Sequence, residues 1–144
     1  MKKIALSIAV LILIVNLQAI HAETLTWTQV NTSGFGDAHN IGVYTTAIFK
    51  GYLYACTNNF YFSGNVPISN GGEIWRSPDG TTWTQVNTNG FVDENNKLNP
   101  GFIVFNDYLY ASTTNEKTGG QIWRSSDGTT WEQVIINPAI KSRN

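Results

Sequence analysis

Apolar and aromatic residues in this chain fall in short runs broken by Gly, Asn, Asp and Ser, and beyond residue 22 no segment keeps apolar positions at a helical period. The runs predict strands over Tyr44 to Phe49, Tyr52 to Thr57, Glu73 to Ser77 and Thr82 to Asn87. They predict a second set over Phe102 to Phe105, Tyr108 to Thr113, Gln121 to Ser125 and Thr130 to Ile135. The first two strands of each set are apolar on both alternating faces, which suits strands covered on two sides. The last carries Thr, Gln and Asn, which suits an outer edge. Lys50-Gly51 and Asn106-Asp107 fit two-residue hairpins. Pro78-Asp79-Gly80 and Ser126-Asp127-Gly128 supply turn residues between the third and fourth strands.

The two sets are copies. Gly72 to Val86 returns as Gly120 to Val134, differing only where Gln121 replaces Glu73, Ser126 replaces Pro78 and Glu132 replaces Thr84. Tyr52-Leu53-Tyr54-Ala55 returns as Tyr108-Leu109-Tyr110-Ala111, and Trp27 to Thr32 matches Trp83 to Thr88. One unit of about fifty residues therefore builds the chain, and four-stranded meanders of that length are the blades of β-propellers. The expected fold is all-β: two four-stranded antiparallel β-propeller blades, about 42–87 and 100–136, plus an extra N-terminal strand over Thr24 to Asn31. That is an incomplete propeller.

The turn residues Ser77, Asp79, Gly80 and Trp83, and their copies Ser125, Asp127, Gly128 and Trp131, resemble the Asp-box, or BNR, repeat of the sialidase-like superfamily. This chain is one residue shorter between Asp and Gly than the usual spacing. The resemblance covers nearly all of residues 23–144 and implies a propeller, but Asp-boxes occur in enzymes, lectin-like proteins and structural propellers alike, so it implies no single activity. It also raises the three-arginine carboxylate clamp of sialidases. Here Arg76 and Arg124 are repeat equivalents and Arg143 lies at the C-terminus, so no such clamp can be assigned.

At the N-terminus Lys2 and Lys3 precede an apolar run, Ile4 to Val15, and Ala22 closes a polar stretch. This pattern predicts a signal peptide over residues 1–22, cleaved after Ala22, and a secreted or periplasmic product with no membrane association afterwards. Charged residues are only 13% of the chain, against roughly 25% in a typical soluble domain. With nine basic and ten acidic residues and no basic run, nothing suits a nucleic-acid backbone. The single cysteine rules out an intrachain disulfide framework, and after the leader His39 stands alone among histidines. No metal, cofactor or catalytic set is expected. Cys56 is matched by Ser112 and reads as a small buried strand residue.

Repetition also decides how Asp79 and Asp127 read: they occupy equivalent turns, where a carboxylate accepts hydrogen bonds from backbone N–H groups, rather than forming a catalytic pair. All five tryptophans fall on repeat positions, which suits packing between blades better than five separate ligand contacts. In a four-stranded meander the tight turns share one end and the long loops share the other. The long-loop end collects Asp37, His39, Asn40, Asn59, Tyr61, Asp93, Asn95, Asn96 and Asn115, groups that could bind a glycan or a cell-surface protein. Asp37-x-x-Asn40 and Asp93-x-x-Asn96 are equivalent and suit a structural turn or a weak oxygen-ligand cation site as well. The leading expectation is a non-enzymatic binding module. A sialidase-like glycoside hydrolase fragment, or a truncated propeller with no independent function, is the alternative. Two blades cannot cover their own broad faces; either three copies complete a ring as a homo-oligomer, or the chain is a piece of a longer propeller.

Overall fold

The computed structural model describes residues 25–134. The expected leader and the end of the last predicted strand lie outside them. The first sheet contains β1 (Asn40–Phe49) and β2 (Tyr52–Asn59). A separate small hairpin follows, β3 (Tyr61–Ser63) with β4 (Val66–Ile68). β5 (Ile74–Ser77) and β6 (Thr84–Gln85) then complete the first sheet in the order β1-β2-β5-β6. The second sheet repeats it with β7 (Lys97–Phe105), β8 (Tyr108–Thr114), β9 (Ile122–Ser125) and β10 (Glu132–Gln133), in the order β7-β8-β9-β10. Every neighbouring pair is antiparallel. The chain is thus all-β, two four-stranded meanders consistent with part of a propeller.

Both inner hairpins are the predicted tight ones. Lys50 and Gly51 have φ of 48° and 79°, and Asn106 and Asp107 have 46° and 62°. Positive φ at both central positions is the type I′ turn, whose twist matches the flanking strands. The outer strands are shorter than Thr82 to Asn87 suggests. Asn87 ends β6 because its side-chain oxygen takes the Ile74 N–H at 2.6 Å, where a ladder partner would otherwise stand. The long loop between β2 and β5 is not structureless, since it holds the β3–β4 hairpin.

The strand expected over Thr24 to Asn31 does not form: residues 25–30 have no regular structure, and Trp27 is 95% exposed. An outer strand in this meander pairs with the third strand of its own blade, and among the described residues none lies beside it. The Trp83 Nε1–H donates to the Val30 carbonyl at 3.0 Å, and Gln29 bonds only locally, to the Asn31 carbonyl and Ser33 Oγ.

The blades stack face to face. Phe49, Tyr54, Cys56 and Ile74 of the first sheet are buried against Leu109, Ala111 and Phe102 of the second, joined by Phe91 from the connection and Leu98 at the start of β7. Full burial of residues such as Ile74 and Leu109 contributes about 1.5–3 kcal/mol each. Trp123 stacks on Phe91 with centroids 4.3 Å apart, and Trp75 stacks on Phe35 at 4.8 Å. Trp131 Nε1–H donates to the Val86 carbonyl, as Trp83 does to Val30. Trp123 and Trp131 therefore pack between the two sheets, as the repetition suggests, whereas Trp75 and Trp83 pack on residues 30–35 before β1 and Trp27 is exposed.

Candidate functional site

The long-loop end is built from two copies of one polar network. In the first, the Asn40 side chain enters the interior where β1 begins. Its amide donates to Glu73 Oε2 at 2.7 Å and to the Gly34 carbonyl, and its oxygen accepts from Thr57 Oγ1 and Asn59 Nδ2. Asn59 also donates to Asp37 Oδ2 at 2.8 Å. In the second, Asn96 donates to Gln121 Oε1 and to the Gly90 carbonyl, and accepts from Asn115 and Thr113. Asn115 donates to Asp93 Oδ2 at 2.8 Å. Glu73 and Gln121 anchor the two copies and also receive the indole N–H of Trp75 and Trp123.

These networks settle where the expected residues lie. Asn40, Asn59, Asn96 and Asn115 are buried, Asn59 and Asn96 completely, and their amides are spent on one another, on the backbone and on Asp37, Glu73, Asp93 and Gln121. Asp37 and Asp93 form the structural turns: each accepts from the backbone N–H two residues on, at 2.8 Å from His39 and 2.9 Å from Asn95. That backbone donor first, with the Asn59 amide on Asp37 and the Asn95 amide on Asp93, holds both carboxyls below the ordinary carboxylate range. His39 and Tyr61 remain at the surface with ring centroids 3.9 Å apart. Asn95 replaces His39 in the second copy, where the shorter loop carries no counterpart of Tyr61.

At the opposite end Ser77, Asp79 and their copies Ser125 and Asp127 hold the turns between the third and fourth strands. Asp79 Oδ1 accepts the Thr81 and Thr82 N–H groups at 2.8 and 2.7 Å, and Ser77 Oγ accepts that of Gly80. Asp127 and Ser125 repeat this with Thr129, Thr130 and Gly128. The Thr82 and Thr130 amides, then those of Thr81 and Thr129, depress the two carboxyls far below the usual range. A depressed folded-state value means that the ionised turn stabilises the fold fully above the unfolded carboxyl's ordinary value, and that this is lost as pH falls towards the folded one. Carboxyl ¹³C shifts of Asp79 and Asp127 are therefore expected to stay at their neutral-pH positions at pH 3.8, where an unperturbed aspartate is half protonated. Titration of either at that pH would contradict the turn assignment.

Cys56 is 1% exposed, its thiol donates to the Leu98 carbonyl at 3.3 Å, and burial pushes its pKa up to about 11. Native protein is expected to leave Cys56 unlabelled by a thiol reagent at neutral pH and to react fully in denaturant. Equal rates in both conditions would show that it is not between the blades.

Two concavities accompany these networks. One, of about 170 Å³, lies at the long-loop end between Phe60, Ile68, Asn95, Lys97 and Glu116. A larger open groove of about 710 Å³ runs between β6 with the segment after it and, on the second sheet, Trp123 of β9 with Thr129 to Trp131. Phe91, Trp123 and Trp131 are its aromatic lining, and Arg76, Gln85 and Asn87 are among its polar lining. Ligand sites span roughly 300–1,000 Å³, so the larger groove is the better fit in size. Sequence reading missed it, although the repeated aromatics that form its floor were the signal. Of the long-loop connections, only the segment from Asn87 to Val92 contributes to it.

No family model matches the chain, and neither does any curated protein compared with it. Among solved structures it is similar to the Bombyx mori GH32 beta-fructofuranosidase BmSUC1, at 16% identity and a TM-score of 0.41. The similarity covers 62% of this chain and 21% of that one, so the chain matches about a fifth of that enzyme's length.

Proposed function

We propose that this chain is a non-enzymatic β-propeller repeat module, exported by its leader, that binds a glycan or a cell-surface protein in the groove between its blades. The observation that carries the reading is the groove itself, lined by three aromatic rings together with Arg76. Ring faces stack on the apolar side of a sugar, while a guanidinium hydrogen-bonds its hydroxyls; the Asn87 carboxamide is already spent on Ile74, Gly72 and Thr88. The repeated carboxylates point the same way. Asp37, Asp79, Asp93 and Asp127 are all held ionised by donors from their own turns, which unsuits them to deliver a proton as a glycosidase acid must.

Titration of an oligosaccharide panel against the protein, followed by tryptophan fluorescence, tests this. A binding sugar is expected to perturb emission from Trp123 and Trp131, and Arg76→Gln is expected to weaken it about tenfold, the order of one charged hydrogen bond. No saturable response at millimolar sugar would remove the glycan reading. Turnover of a fluorogenic sialoside above buffer would replace the module by an enzyme.

A further inference from the structure

The interface between the two sheets shows what their outer faces are shaped to meet. On the first sheet the face bearing Phe49, Tyr54 and Ile74 is 4%, 0% and 0% exposed, because the second sheet lies on it. The matching face of the second sheet bears Phe105, Tyr110 and Ile122. There Phe105 is 59% exposed and Ile122 46%. The opposite faces show the reverse. Leu109 is fully buried against the first sheet, while its counterpart Leu53 is half-buried; beside them Ile48 is 74% exposed and its counterpart Val104 46%. The described residues thus present two open faces of opposite kind, each the counterpart of one buried inside the molecule.

The grooves follow the same rule. Asn31, Phe35, Trp75 and Trp83 line a recess of about 150 Å³. By the repeat they correspond to Asn87, Phe91, Trp123 and Trp131 of the large groove. The recess lacks the wall that Arg76, Thr84 and Gln85 give the larger one.

We infer that the open face of the second sheet receives the open face of the first sheet of another copy, head to tail, repeating the internal interface. Arg124, Glu132 and Gln133 of one copy, the counterparts of Arg76, Thr84 and Gln85, then wall the recess of the next and complete a second groove. The contact is heterologous, joining two different patches, so it closes into a ring or propagates as a filament according to its rotation. It stands apart from the identity of any groove ligand.

Sedimentation velocity of the purified chain over a dilution series tests the inference with two variants, Phe105→Glu on one open face and Ile48→Glu on the other. Both side chains are exposed within one copy, and unchanged circular dichroism checks that each variant folds. The wild type is expected to assemble beyond a monomer, each variant alone to remain monomeric, and their equal mixture to form a dimer, because one intact pair of faces survives in it. A wild type that stays monomeric at every concentration would overturn the inference. So would assembly that persists in either variant alone, or a mixture that forms no dimer.

Discussion

Phe49→Ala is expected to cost about 3–5 kcal/mol of unfolding free energy, whereas Phe105→Ala at the equivalent place in the second unit is expected to cost less than about 1 kcal/mol. The residue type, hairpin and strand position are the same, and only the covering differs: Phe49 is 4% exposed and Phe105 59%. Ile74 and Ile122 form a second pair, at 0% and 46%, and Ile74→Ala should lose about 2–5 kcal/mol. A domain of this size holds only about 5–15 kcal/mol in total, so the two buried substitutions should shift a urea midpoint far and the two exposed ones little. The comparison belongs in dilute protein, where the open faces are bare. Equal losses within each pair would mean that the sheets do not stack as described.

The second large effect concerns two equivalent glycines. Gly71 and Gly119 both have left-handed backbones, with φ of 82° and 90°. Alanine pays a conformational penalty of about 1–2 kcal/mol at either. Among the described residues a Cβ on Gly119 meets nothing within 4 Å, but one on Gly71 would come within 2.5 Å of the Gly90 nitrogen. That nitrogen belongs to the backbone carrying Phe91 into the tryptophans, and its N–H donates to the Gly72 carbonyl at 2.8 Å. Gly71→Ala should therefore add an overpacking cost of about 1–3 kcal/mol to the conformational one, and thermal melting should show it well below Gly119→Ala. Matching melting temperatures would place the connection away from Gly71.

The parts of this fold that were legible in the sequence are those that rest on local chemistry repeated twice. The I′ turns at Lys50-Gly51 and Asn106-Asp107, the turns held by Asp79 and Asp127 and the inner strands each carry their own signal in a few adjacent residues. The parts that were not legible depend on what lies beside a segment. Thr24 to Asn31 has the composition of an outer strand, but among the described residues no third strand lies beside it, and residues 25–30 are irregular. Tyr61 to Ile68 reads as loop because Pro67 interrupts it, yet in a two-stranded hairpin Pro67 can face the side that needs no donor. The buried asparagines illustrate the same limit for the site. Asn40, Asn59, Asn96 and Asn115 look like surface binding groups one at a time, and only the register between β1 and β2, or β7 and β8, makes them partners of each other. Their clue was the duplicated Asp-x-x-Asn, which marks structure shared by both units rather than a ligand peculiar to one.

The stacking of the first sheet's Tyr54 face on the second sheet is the claim from which the groove, the open faces and the paired substitutions all derive. Tyr54 is fully buried, its ring lies 6.4 Å from that of Phe102, and it sits so close to Gly128 that a Cβ there would collide with its hydroxyl. A nuclear Overhauser spectrum of the dilute chain reads this directly. Cross-peaks are expected from the Tyr54 ring protons to the Gly128 Hα protons and to the Phe102 ring. Their absence, with Tyr54 touching only residues of its own sheet, would contradict the account.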